Sequence, residues 1–165
     1  MKLISGLLVV AALAVGSSAH AVNANDNISG IDLCVNDNSF TAGIGTLNST
    51  SATLAQELYD YFIASAKANK LKVTENGAKA CDDFTVNLDF GATSGTPRAW
   101  YRSFFVTDGT SYFSPKTTDR YKNPVTIWTT ESYGVLESNA GLGDFLATEG
   151  KTLIDDFFKA YRSVN

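Results

Sequence analysis

The sequence predicts an α+β fold, with one mostly antiparallel sheet of about five strands and two helices packed on one face of that sheet. Two stretches carry apolar residues at helical spacing, one in the first half of the chain and one at its end. Between them lie segments in which apolar and polar residues alternate, as they do in half-buried strands. A run of strands flanked by helices is typical of a sheet that is covered on one side.

The N-terminus has the pattern of a secretory signal peptide. Lys2 is followed by an apolar run from Leu7 to Val15 and then by Ala19-His20-Ala21, and these are the charged start, apolar core and cleavage site of such a peptide. The apolar run is shorter than the roughly 20 residues that span a bilayer. We therefore expect cleavage after Ala21, no membrane insertion, and export to the periplasm or the extracellular space.

Length and charge limit what the exported chain can be. Removing residues 1–21 from the 165-residue chain leaves 144 residues, which suits a flexible tail at 22–30 and a single α+β domain at 31–165. The remaining 12 basic and 17 acidic residues give a net charge of −5, which is unsuited to binding nucleic acid. His20, the one histidine of the chain, leaves with the signal peptide, so histidine-dependent nucleophilic catalysis and histidine metal sites are excluded.

The first half of the domain is predicted as strand, helix and strand. The first strand spans Ile31–Val35, and residues 39–47 form either a second strand or a connection. The helix spans Ser51–Ala68, since it follows several N-cap candidates and has one apolar face. A brief strand is expected over Lys70–Glu75.

The second half is predicted as strands followed by a closing helix. Apolar and polar residues alternate from Phe84 to Phe90, a further strand covers Arg98–Thr107, and Asp108-Gly109 predicts a hairpin turn with a return through Ser111–Phe113. The last strand spans Val125–Leu136.

The closing helix is expected from Leu142 to Tyr161. Its apolar stripe is interrupted by Gly150, and glycine costs about 1 kcal/mol relative to alanine inside a helix. A break near this residue is therefore possible.

Cys34 and Cys81 are the only two cysteines of the chain. In an oxidising compartment an intramolecular disulfide is the expected outcome, since each cysteine has a single available partner. The bridge would close a loop of 47 positions, which is worth about 4 kcal/mol of stability in the chain-entropy model. If the first strand and the strand after the first helix pair in parallel, a right-handed crossover places that helix on the core face, and the bridge then ties neighbouring strands.

Aromatic side chains are the most suggestive functional feature. Suppose that the apolar residues of the strand from Phe84 to Phe90 point inward. The opposite face of the neighbouring strands then carries either Tyr101 and Phe105 or Trp100 and Phe104, together with Trp128. We select Tyr101, Phe105 and Trp128 as a candidate binding face, because aromatic rings beside Thr and Asn suit a partner protein or a sugar ring. The alternative is that these rings belong to the core.

No catalytic, cofactor-binding or metal site is predicted. Carboxylates, Lys and Tyr are the general acids and bases that remain, and the spacing of the carboxylates brings no two of them to one substrate. No acidic cluster has the spacing of a calcium loop. A small carboxylate-dependent hydrolase such as a glycosidase, which needs two acids in one cleft, is the alternative to a binding protein.

The C-terminal part of the chain carries a resemblance to known proteins. Its residues are Val125-Thr126-Ile127-Trp128, Tyr133-Gly134, the run from Asp155 to Tyr161, and Val164-Asn165 at the end. With them the chain resembles small exported bacterial proteins, and its element order is similar to periplasmic envelope domains such as the N-terminal domain of TolB and the curli-secretion lipoprotein CsgG.

This resemblance implies a sheet with two helices and a role in envelope assembly or protein contact without catalysis. The chain departs from these families, since it has no lipobox cysteine and no β-propeller follows. We therefore expect a non-catalytic protein, a monomer or homodimer, that contacts an envelope protein or a glycan. A flat aromatic face would favour this function, and a pocket with converging acids would favour the hydrolase.

Overall fold

The computed structural model describes residues 24–45, 48–82, 84–95, 98–112, 124–138 and 140–165. The signal-peptide prediction, residues 1–21, falls outside these ranges. The elements in chain order are a 3₁₀ helix Ala24–Ile28, β1 Leu33–Val35, β2 Phe40–Ile44, α1 Asn48–Ala68, β3 Val73–Glu75, β4 Phe84–Ala92, β5 Arg98–Tyr112, β6 Pro124–Leu136 and α2 Leu142–Val164.

The α+β class with two helices is confirmed, but the sheet has six strands and is mixed. Its order is β3-β1-β4-β5-β6, and β2 pairs with β4 beyond the end of β1. The pairs β4–β5 and β5–β6 are long and antiparallel, whereas β1–β3, β1–β4 and β2–β4 are short and parallel. The sheet is therefore mixed rather than purely antiparallel, because the crossover through α1 returns β3 parallel to β1.

Both helices lie on one face of the sheet, which we call the inner face. The core between them is rich in aromatic rings. The centroid of the Phe157 ring lies 4.8 Å from that of Phe104 and 5.4 Å from that of Trp128, and the Phe62 and Phe158 rings stack at 5.1 Å. Burying each such side chain contributes roughly 1.5–3 kcal/mol, so this cluster accounts for much of the attachment of the helices.

Helix α2 continues through Gly150, so the possible break is not present. Gly150 is buried where α2 approaches α1 and the sheet. A Cβ atom at this position would lie 2.6 Å from Leu58 Cδ2 and 3.0 Å from Phe90 Cε2. The glycine therefore serves close packing, which offsets its cost in helix propensity.

The hairpin turn expected at Asp108-Gly109 is also wrong. Strand β5 runs on to Tyr112, with Asp108 opposite Val125 and Tyr112 opposite Pro124. The register between β5 and β6 shifts twice along this part of the pair, so the aspartate and glycine sit in an irregular strand rather than a turn. Phe113, where the return strand was to end, lies outside the described residues.

Residues 22–30 are not a loose tail from Ala24 onward. Ile28 is fully buried, and Asn25 and Asn27 bond to β6. Trp128 Nε1 donates to Asn25 Oδ1 at 3.1 Å, and Asn27 Nδ2 donates to the carbonyl of Ile127 at 3.0 Å. Asn25 and Asn27 thus satisfy polar groups of the last strand, and from Ala24 onward the flexible tail expected at 22–30 is ordered by these contacts.

The predicted disulfide between Cys34 and Cys81 is confirmed, with a Cα–Cα distance of 6.0 Å. Leu33 and Val35, on either side of Cys34, are buried in the core, so strand alternation turns Cys34 to the opposite, outer face. Cys81 lies in the connection from β3 to β4, which flank β1 on its two sides. The bridge therefore fixes a crossover connection against the outer side of β1, and does not join neighbouring strands as expected.

Removing this bridge should destabilise the fold. We expect Cys34→Ser combined with Cys81→Ser to lower stability by up to about 4 kcal/mol, or roughly 10 °C in melting temperature, because the loop constraint is lost. Circular dichroism melts with and without reductant test this. Reductant should lower the melting temperature of the wild type and leave the double variant unchanged. Equal melting temperatures for the wild type and the double variant in the absence of reductant would contradict a stabilising role of the disulfide.

Candidate binding face

The outer face of the sheet, opposite the helices, carries exposed apolar side chains. On β5 and β6, Tyr101 lies directly opposite Tyr133, and Ala99 lies opposite Val135. Tyr101 is 48% exposed, Tyr133 85% and Val135 60%. We call Tyr101, Tyr133 and Val135 the outer patch. Adjacent aromatic and branched side chains on one sheet face form a continuous apolar surface.

The structure separates the three residues selected from the sequence. Tyr101 belongs to the outer patch, and Phe105 is on the same face but half-buried. Trp128 is on the inner face, 7% exposed, and packs edge-on against Phe104 and Phe157. Its assignment to an exposed face is therefore wrong, because it lies opposite Val106 in the core-facing row of the sheet.

Tyr133 and Val135 were missed by the sequence analysis. The signal that could have found them is alternation. Once Trp128 is assigned to the core, every odd-numbered residue from 129 to 135 points outward. The large ring of Trp128 was selected from the sequence, and the smaller, exposed residues that follow it were not.

Tyr101 is held in place by β4. Gly91 lies directly opposite it, and a Cβ atom at Gly91 would overlap the tyrosine ring, so the ring lies close over the glycine backbone. Its hydroxyl donates to Asp89 Oδ2 at 3.0 Å, and Thr41 donates to Asp89 Oδ1 at 2.8 Å. Burial, and then the bond to Asp89, raise the pKa of Tyr101. The hydroxyl stays protonated at neutral pH and fixes the ring orientation.

A shallow groove of about 460 Å³ lies beside the outer patch. Gly43 and Gly91 lie next to each other in register on the outer face. The Tyr101 ring lies over Gly91, and the missing side chain of Gly43 leaves open space beside it. The other lining residues are Ala92, Thr93, Ala99, Trp100 and Tyr101. A groove of this size and apolar lining accepts a large apolar side chain or a small ring.

Arg102 has a structural position on the inner face. Its Nη2 lies 2.8 Å from Glu149 Oε2, its Nη1 donates to the carbonyl of Glu149, and its Nε donates to Ser132 Oγ. The side chain is 11% exposed, and this burial lowers its pKa while Glu149 opposes the shift. The arginine links α2 to β5 and β6 and takes no part in the outer patch.

Acidic side chains occur in two places: Asp89 and Glu131 lie on the outer face, on either side of Ser103, and others lie beside the helices. Glu57 and Asp144 line one cavity of about 310 Å³ between α1 and the start of α2. Glu57 Oε1 accepts from Lys151 Nζ at 2.6 Å, so that carboxylate is engaged in an ion pair. Among the described residues, no group of three or more His, Cys, Asp or Glu could hold a metal ion.

A second cavity of about 330 Å³ lies between α1 and the turn after β1, where it is lined by Asp37 and Tyr59 among others. Tyr59 donates to Glu75 Oε2 at 2.7 Å. Burial is the main cause that raises the pKa of Tyr59 to about 12, followed by Glu75 and by the charges of Asp37 and Asp60. The tyrosine therefore stays neutral there and acts as a hydrogen-bond donor.

Comparison with known proteins leaves the geometry as the guide to function: no protein-family model matches the chain, and no curated protein matches it. In the described part of the chain, neither helix combines the length and the apolar character needed to cross a membrane.

The raised pKa of Tyr59 predicts a pH dependence. The folded-state pKa of Tyr59, about 12, exceeds the usual value near 10. The contribution of Tyr59 to the free energy of unfolding is therefore complete below about pH 10 and is lost as the pH rises through about 12. We expect Tyr59→Phe to cost about 1 kcal/mol at pH 8 through the lost hydrogen bond. Above pH 10 the gap to the wild type should shrink. Urea unfolding of both proteins from pH 8 to pH 12 measures this gap in the free energy of unfolding.

Tyr133→Phe, at the exposed tyrosine of the outer patch, is the control for that series. Its stability should follow that of the wild type across the same range. A gap between Tyr59→Phe and the wild type that stays constant to pH 12 would contradict the assigned bond between Tyr59 and Glu75.

Proposed function

We propose that this chain is an exported, non-catalytic binding protein of the cell envelope and that it holds a protein partner on the outer patch. The observation that carries this proposal is the cross-strand pair of Tyr101 and Tyr133, which are 48% and 85% exposed, together with Val135 at 60%. Apolar patches left open on a folded surface mark binding sites.

The composition of the outer face supports a protein interface. Tyrosine is enriched at the centres of such interfaces, where its ring is buried and its hydroxyl stays polar. Polar residues surround the patch in register: Ser103 and Glu131 lie opposite each other, and Asp89 lies opposite Ser103 on β4. An apolar centre with a polar rim is the usual anatomy of a protein-binding surface.

The engagement of Asp89 favours a protein over a glycan. Both of its oxygens already accept hydrogen bonds, from Thr41 and from Tyr101. A sugar would have to share this carboxylate or bind the row of Ser103 and Glu131 to one side of the rings, whereas an apolar side chain needs only the groove and the rings. The outer patch therefore fits a partner that inserts an apolar side chain beside Tyr101.

Export is supported by two independent features. The disulfide between Cys34 and Cys81 is of the kind that persists in an oxidising compartment. The first 21 residues have the composition of a signal peptide. A periplasmic or extracellular location is part of this proposal.

The proposal predicts a direct contact at Tyr101. A photoreactive benzophenone amino acid placed at Tyr101 in the producing cells should form an adduct with a second protein species. The same group at Lys159, on the exposed side of α2, should give no such adduct. Mass spectrometry of the adducts identifies the partner.

Once the partner is identified, Tyr133→Ser should weaken its binding about 30-fold. This corresponds to a hot-spot loss of roughly 2 kcal/mol in binding free energy. Its stability should change by less than about 0.5 kcal/mol, because the side chain is exposed. Lys159→Ser is the matched control and should leave the affinity unchanged. Adducts of equal kind and yield at both positions, or a partner that binds Tyr133→Ser as well as the wild type, would refute the proposal.

A further inference from the structure

Strand β6 forms one edge of the sheet. The strand order ends at β6, and among the described residues no strand pairs with its outward side. It is 13 residues long, which is long for an edge strand. Such an edge presents a row of unpaired N–H and C=O groups to any chain that can align with it.

Among the described residues, the protection of this edge lies at its start. Pro124 begins the strand, its register with β5 shifts before Trp128, and Asn27 donates to the carbonyl of Ile127. From Thr129 to Leu136 the register with β5 is regular. We call Thr129–Leu136 the edge segment. It contains no Lys, Arg or Pro, the residues that commonly block edge pairing.

We propose that the edge segment pairs antiparallel with the edge segment of a second copy of this chain, about a two-fold axis at Ser132. Identical strands pair this way in an isologous dimer, in which the same surface meets itself. The two sheets would join into one continuous sheet through main-chain hydrogen bonds.

The side chains of the edge segment are complementary to themselves in this register. On the outer face, Glu131 comes opposite Tyr133 of the second copy, whose hydroxyl can donate to the carboxylate. Thr129 comes opposite Val135 of the second copy. Glu131 is the single charged residue of the edge segment, and with the axis at Ser132 the two Glu131 side chains are not directly opposite each other, where they would repel.

Because the edge segment is complementary to itself, the strand that pairs with it is that of a second copy of this chain. It goes beyond the proposed function and does not depend on it. A two-fold axis perpendicular to the sheet places both outer patches on the same side of the dimer. Two linked sites on one surface would raise the avidity for a repeated or dimeric partner.

Charge substitutions at one cross-dimer pair test the register. Thr129 and Val135 are both exposed, so the fold should tolerate Thr129→Lys with Val135→Lys, and likewise Thr129→Glu with Val135→Glu. Each variant places like charges opposite each other twice in its own dimer. An equal mixture of the two variants places opposite charges there instead.

Sedimentation velocity over a range of concentrations is the measurement, on protein expressed from the full sequence and processed by its host. We expect a wild-type dimer, at least a tenfold weaker dimer for each charge variant, and a restored heterodimer in the mixture. Unchanged circular dichroism melts confirm that each variant is folded.

Three results would overturn the proposal. One is a wild type that sediments as a monomer at every concentration. Another is a dimer that either charge variant leaves intact, which would place the contact on another surface. The third is a monomeric wild type whose edge segment crosslinks to a different protein, which would make the occupant a partner strand. The edge segment shares Tyr133 and Val135 with the outer patch, but Tyr101 lies on β5 outside it, so the crosslink at Tyr101 tests the proposed function independently of the dimer.

Discussion

One-sided burial is the constraint on which the rest of this structure depends. Helices α1 and α2 both pack on the inner face, where Phe62, Phe104 and Phe157 interlock with further rings. No helix among the described residues covers the outer face. There the crossover held by Cys34 and Cys81 covers only the β1 end of the sheet. In the rows of β5 and β6 that face away from the helices, Tyr101, Tyr133 and Val135 remain exposed, and they are the surface on which we propose that a partner binds.

Tyr101 is held in one orientation, which favours the proposed binding. Tyr101 is set by the close approach of Gly91 and by the bond to Asp89, so little rotamer freedom remains to be lost when a partner arrives. The strands beneath it are fixed on the other side by the ion pair between Arg102 and Glu149. The core on one face thus rigidifies the patch on the other.

Sequence reasoning was most successful where a pattern was long. The apolar stripe of α2 and the alternation from Phe84 to Phe90 predicted those elements closely, and the disulfide followed from having two cysteines. Parallel pairing of β1 with β3 could be raised only as a possibility, because these strands have three residues each and show no readable period. Tyr101 is exposed, as the candidate face required, but Trp128 is buried, because its place opposite Val106 puts it in the core-facing row of the sheet, and the composition of single strands does not reveal how they pair.

Tyr133 and Tyr101 lie exposed on the outer face, whereas Trp128 lies in the core. Hydroxyl-radical footprinting of the purified protein, and of the same protein in its own envelope fraction, tests this most directly. We predict rapid oxidation at Tyr133, slow oxidation at Trp128, and protection of Tyr101 and Tyr133 in the envelope fraction alone. Faster oxidation at Trp128 than at Tyr133 in the purified protein would contradict the assignment of the two faces. Equal oxidation of the tyrosines in both samples would contradict their role in binding.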